Sequence, residues 1–95
     1  MAAYLIADVD VTDPAGYAAY TRDIVATVEA FGGRYLVRGG KTEVLEGDWA
    51  PRRVVVLEFP SAAQLRAWYE SPAYAPLIEL RQRTANARLV MVEGV

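Results

Sequence analysis

The chain has 95 residues with ten basic and twelve acidic side chains, a net charge of −2, and it contains neither cysteine nor histidine. That length supports one core, so residues 1–95 read as a single domain. The charge balance gives no footprint for nucleic acid, and the missing residue types remove disulfides, thiolate or imidazole metal sites, His-ligated haem and histidine acid–base catalysis from this chain. A hydrophobic content of 54% is high for so small a domain, whose large surface relative to volume calls for polar cover, and self-association is the natural remedy.

Taken in order, residues 3–11 alternate Leu5, Ala7, Val9 and Val11 against Tyr4, Ile6, Asp8 and Asp10, which describes a strand apolar on both faces with acids at its exit. Asp8 and Asp10 read either as an acidic mouth or as solvated strand-end carboxylates. They also break the apolar start, which lacks a basic leader, so no signal peptide is expected. No segment approaches the length of a membrane span, and the expected location is cytoplasmic. Thr12-Asp13-Pro14 resembles an N-cap with a first-turn proline. From Pro14 to Phe31 the residues Tyr17, Tyr20, Ile24, Val28 and Phe31 form one helical stripe, closed by Gly32 and Gly33. The two tyrosines suit either core packing or a ligand cavity.

Residues 34–38 return as a strand, with Tyr35 and Val37 on one face and Arg34, Leu36 and Arg38 on the other. Gly39-Gly40 reads as a bulge or bend, after which Thr42 to Glu46 resume the strand, 47–51 turn, and Arg53 to Phe59 run back. Ser61 and Gln64 have the spacing of a capping box, with Leu65 and Trp68 buried behind it. Ser71-Pro72 restarts a second helical piece as cap and first-turn proline, with Tyr74, Leu77, Ile78 and Arg81 near one face. Residues 87–93 alternate again and close the chain as a strand.

The order βαββαβ is the split βαβ, ferredoxin-like α+β arrangement. It has an antiparallel sheet, strands one and three in the centre, and the helices on one face. The other face is bare and apolar. Packing it against a second copy would form a homodimer, a dimeric α/β barrel, and could enclose a cavity.

The segments Tyr35-Leu36-Val37-Arg38-Gly39-Gly40, Leu45-Glu46-Gly47-Asp48-Trp49, Glu58-Phe59-Pro60-Ser61, Ala67-Trp68-Tyr69 and Ser71-Pro72-Ala73-Tyr74 together resemble the bacterial family DUF1330, a domain of unknown function, over essentially the whole chain. The resemblance implies the fold of the dimeric α/β-barrel superfamily, which includes cofactor-independent monooxygenases, chlorite dismutase-like proteins and muconolactone isomerases. It implies no particular reaction. Members that depend on a histidine have no counterpart residue here.

Without histidine, acid–base work falls to a carboxylate or a tyrosine in a partly dry site. Glu58, between Leu57 and Phe59 on a central strand, is the candidate catalytic residue; the alternative is an ion pair with Arg38 or Arg81. Arg38 and Arg81 could fork a carboxylate ligand, while Trp68, Tyr69 and Tyr74 could wall a pocket for a ring-bearing one. The function these residues suggest is a homodimer with a small-molecule pocket, either a cofactor-free enzyme on a small organic or aromatic acid or a non-catalytic metabolite-binding module. No metal, cofactor, nucleic acid or membrane is expected as a partner.

Overall fold

A computed structural model describes residues 1–95, in the order β1 (Ala3–Val11), α1 (Pro14–Ala30), β2 (Arg34–Arg38), β3 (Val54–Phe59), α2 (Ala62–Tyr69), α3 (Ala75–Thr84) and β4 (Ala85–Glu93). The four strands form one antiparallel sheet ordered β2-β3-β1-β4, so the fold is ferredoxin-like, with β1 and β3 central as expected. The alternation of β1 sets its two faces. Ala3, Leu5, Ala7 and Val9 are buried on one face, which together with Leu57 and Phe59 of β3 receives the helices. Tyr4, Ile6 and Asp8 point the other way, opposite Glu58, Val56 and Val54 of β3 and Val92, Val90 and Arg88 of β4.

Helix α1 starts where Asp13 accepts a hydrogen bond from the Gly16 N–H at 3.2 Å, and it buries the stripe Tyr17, Tyr20, Ile24 and Val28. Helix α2 is capped by Ser61, whose hydroxyl accepts from the Gln64 N–H at 3.2 Å. The Gln64 side-chain oxygen accepts from the Ser61 hydroxyl at 3.4 Å, while its amide donates to the Phe31 carbonyl at 3.2 Å and ties α2 to the exit of α1. The second helical piece begins later than Ser71-Pro72: these residues form a turn, and α3 starts at Ala75 with Pro76 in its first turn. Ser71 fastens the turn by donating to the Trp68 carbonyl at 2.8 Å and accepting from the Tyr74 N–H at 3.2 Å. Helix α3 passes into β4 with no intervening residue. At that junction the Thr84 carbonyl accepts the backbone N–H groups of both Thr12 (2.8 Å) and Asp13 (3.0 Å).

Two expectations for the hairpin are corrected. The bulge lies within β2 between Tyr35 and Val37, and of the two readings for Gly39-Gly40 the bend, at Gly39, is the one present. The extra residue, Leu36, returns Arg38 to the helix-facing side together with Tyr35, so these two share a face, while Arg34 and Val37 look to the open side. Residues 42–46 do not resume the strand. At Gly39 (φ +69°) the chain leaves the sheet, and a Cβ there would be strained and would displace the Arg53 guanidinium. The segment then crosses to the open face, where the Asp8 carboxylate accepts from Trp49 Nε1 (3.0 Å), Arg52 N (3.1 Å) and Arg88 Nη2 (3.2 Å).

Candidate functional site

Between the sheet and helices α1 and α3 lies a cavity of about 30 Å³, room for one or two waters or one carboxylate group. Its wall is apolar where β1 and β3 supply Leu5, Ala7, Val9, Val55 and Leu57, and polar where three tyrosines (Tyr17, Tyr20, Tyr35) and three arginines (Arg38, Arg53, Arg81) converge. No carboxylate lines it. A wider outer hollow of about 680 Å³, bounded by Val11, Pro14, Ala18 and Arg22, shares Tyr17, Thr21, Arg38 and Arg53 with the cavity. Those four residues therefore form the threshold between the two spaces, and Arg81 belongs to the inner one alone.

Arg81, in the last turn of α3, is 5% exposed. Its Nε and that of Arg53 are buried with no acceptor in hydrogen-bond reach, and neither residue forms an ion pair. Burial works against the Arg81 charge, but the neighbouring phenols of Tyr74, Tyr20 and Tyr69 more than offset it and raise its pKa above the ordinary guanidinium value. Arg38 ends β2 and lies over the Tyr35 ring, with its guanidinium carbon 4.5 Å from the centroid. Burial pushes the Tyr35 hydroxyl up to about 12 and raises those of Tyr17, Tyr20 and Tyr74 as well. These phenols are thus neutral hydrogen-bonding groups at ordinary pH, and the fixed charges in the wall are all positive.

Behind the wall stands an aromatic stack. Trp68 and Tyr74 are fully buried with ring centroids 4.2 Å apart, Phe59 lies 5.3 Å from Trp68, and the indole N–H donates to Thr27 Oγ1 at 3.1 Å. The Tyr74 and Tyr20 hydroxyls share a 2.6 Å hydrogen bond, so Tyr74 reaches the cavity through Tyr20 and does not sit at a pocket rim. Tyr69 is 38% exposed and borders a separate hollow at the α2–β4 side with Leu65, Glu70 and Met91. Of the residues singled out from sequence, Arg38 and Arg81 meet at the cavity, while Trp68 and Tyr74 support it from behind.

Glu58 lies on the opposite face of the sheet. Its carboxylate accepts from Arg34 Nε at 2.7 Å, so its partner is neither Arg38 nor Arg81. The Arg34 hydrogen bond, helped by Tyr4, holds it below the usual carboxylate range, where it is a weak base at neutral pH. The cavity residues not singled out were Arg53 and Tyr35. Arg53 has the parity of Val55, Leu57 and Phe59, which was the available signal.

Comparison places the chain among known proteins. The model of the family described as Domain of unknown function (DUF1330) matches residues 2–95. The chain belongs to this family. No curated protein matches it. Among solved structures, a protein of unknown function from Rhodopseudomonas palustris is similar at TM-score 0.79 and 24% identity, covering 99% of this chain and 82% of that one. SnoaB, a cofactor-independent oxygenase from Streptomyces nogalater, is similar at TM-score 0.68 and 10% identity over 99% and 93% of the two chains. A dimeric ferredoxin-like protein of unknown function from a Jannaschia species gives TM-score 0.67 and 12% identity over 99% and 100%. At these identities the DUF1330 chain shares a fold with them, and its chemistry has to be argued from its own residues.

Proposed function

We propose that this DUF1330 protein binds a small organic acid, as its anion, in the cavity between helices and sheet, and does so as a homodimer. The observation that carries the reading is Arg81: a buried guanidinium with no acceptor on Nε and no counter-charge, facing a space with room for one carboxylate. A guanidinium fork matches a carboxylate bidentately, and the neutral tyrosine hydroxyls beside it add donors. The dimer reading rests on the open sheet face, where Val90 and Val92 are exposed beside Ile6, Val54 and Val56.

A second reading is a cofactor-free reaction on the bound acid, as the fold shared with a cofactor-independent oxygenase allows. The feature favouring it is the same Arg81, which would stabilise negative charge developing on a substrate that loses a proton. Binding alone is the simpler account, because no group in the wall has the pKa of a neutral-pH base.

Thermal unfolding with a panel of small carboxylates and phenols tests the reading. An acid at about ten times its Kd adds about 1.4 kcal/mol, about 6–11 °C in Tm for a chain of this size. Arg81→Gln should abolish that shift. A panel without stabilisers, or shifts that survive Arg81→Gln, would rule out the site. Recovery of a stabilising acid unchanged after long aerobic incubation would leave binding without catalysis.

A further inference from the structure

Arg81 and Arg53 are the two residues with a buried side-chain nitrogen that finds no acceptor, and both face the same cavity. They stand at different depths. Arg81 touches only the inner space, while Arg53 also walls the outer hollow, at the threshold beside Arg38. Arg53 is held there by design of the backbone, since Gly39 leaves the room its guanidinium occupies. One carboxylate on Arg81 would leave Arg53, half-buried with an Nε that has no acceptor, without a counter-charge. The inner space of about 30 Å³ admits a head group and no more, so the rest of any ligand lies in the outer hollow of about 680 Å³.

The geometry points to a ligand with two anionic ends: a short dicarboxylic acid whose inner carboxylate bonds Arg81 and whose outer carboxylate bonds Arg53 at the threshold. This rests on the anion-binding reading above and adds the second recognition point. Arg38, exposed on the Tyr35 ring, closes over the outer end.

Titration calorimetry on the wild-type protein with succinate, glutarate, monomethyl succinate and butyrate tests it. The better of the two diacids should bind at least about tenfold tighter than the monoacids, as one further charged hydrogen-bonded contact gives. Arg53→Gln should bring the diacid down to the level of the monoester and leave the monoester within about threefold. Arg81→Gln should remove binding of all four. Monoester and diacid binding equally in the wild type overturns the two-ended ligand while the anion site stands; that comparison needs no variant. Equal weakening of both by Arg53→Gln also overturns it, since one carboxylate would then span both arginines. Absence of binding by any of the four acids overturns the inference together with the anion reading beneath it.

Discussion

A guanidinium that is 5% exposed, with no acceptor on Nε and no carboxylate to pair with, has only phenols that are neutral at ordinary pH to offset its desolvation, and its burial weakens the unliganded fold. Arg81→Met keeps most of the volume and removes the charge. The expected outcome is an unliganded protein about 1–3 kcal/mol more stable by denaturant unfolding, with no remaining response to organic acids. A loss of stability would show instead that Arg81 is a structural member. At this scale the sequence was partly legible. Arg81 falls on the α3 stripe and Arg38 was singled out, but Arg53 reads only as the start of the returning strand, although counting by twos from Phe59 places it on the helix side. The Tyr20–Tyr74 hydrogen bond joins residues 54 apart, and no local pattern announces it.

Elements were read best where one periodicity ruled. The alternation in β1 and the caps at Asp13 and Ser61 gave both the faces and the starts. The β2 bulge defeated the same counting. One extra residue at Leu36 reverses parity, so Arg38, expected on the face of Arg34 and Leu36, turns to the helices, and Arg34, ahead of the bulge, becomes the Glu58 partner. Residues 42–46 are expected to resume the strand, yet the positive φ at Gly39 carries them out of the ladder, and Asp8 collects the far end of the segment. The Trp49 hydrogen bond, then those of Arg52 and Arg88, hold the Asp8 carboxyl below its ordinary pKa. A depressed folded-state pKa means stability that is present above the unfolded value of about 4 and is lost as pH falls from there through the lower folded-state value. Between about pH 5 and 3 the wild type should therefore lose Tm more steeply than Asp8→Asn, which should already melt lower at pH 7. Parallel pH profiles would show that the carboxylate does not hold this segment.

The whole molecule is a slab of 35 × 32 × 16 Å that exposes 6004 Å². A monomer of 10.4 kDa would ordinarily expose about 5,400 Å². The surplus accompanies the open sheet face, and a second copy there would cover about 800 Å² per protomer in an interface of standard size. That apolar face was visible in the sequence, because every second residue of β1, β3 and β4 had no helix left to cover it. Sedimentation at micromolar concentration should give about twice the 10.4 kDa chain mass. Val90→Glu, placing a charge at a 57% exposed position on that face, should return it to the monomer without lowering helix content. A wild type that sediments as a monomer would refute the dimer.

The junction at Thr84 bears on how fast such a site fills. With no residue between α3 and β4, and with one carbonyl gripping both Thr12 and Asp13, the last turn of α3 is fastened to the sheet, and Arg81 moves with it. The opposite bank is looser in construction: Arg38 ends a five-residue edge strand, and Arg53 closes the segment that crosses the open face. Opening belongs to that bank. Substitutions at Arg38 should then change both association and dissociation rates, whereas Arg81→Gln removes binding altogether.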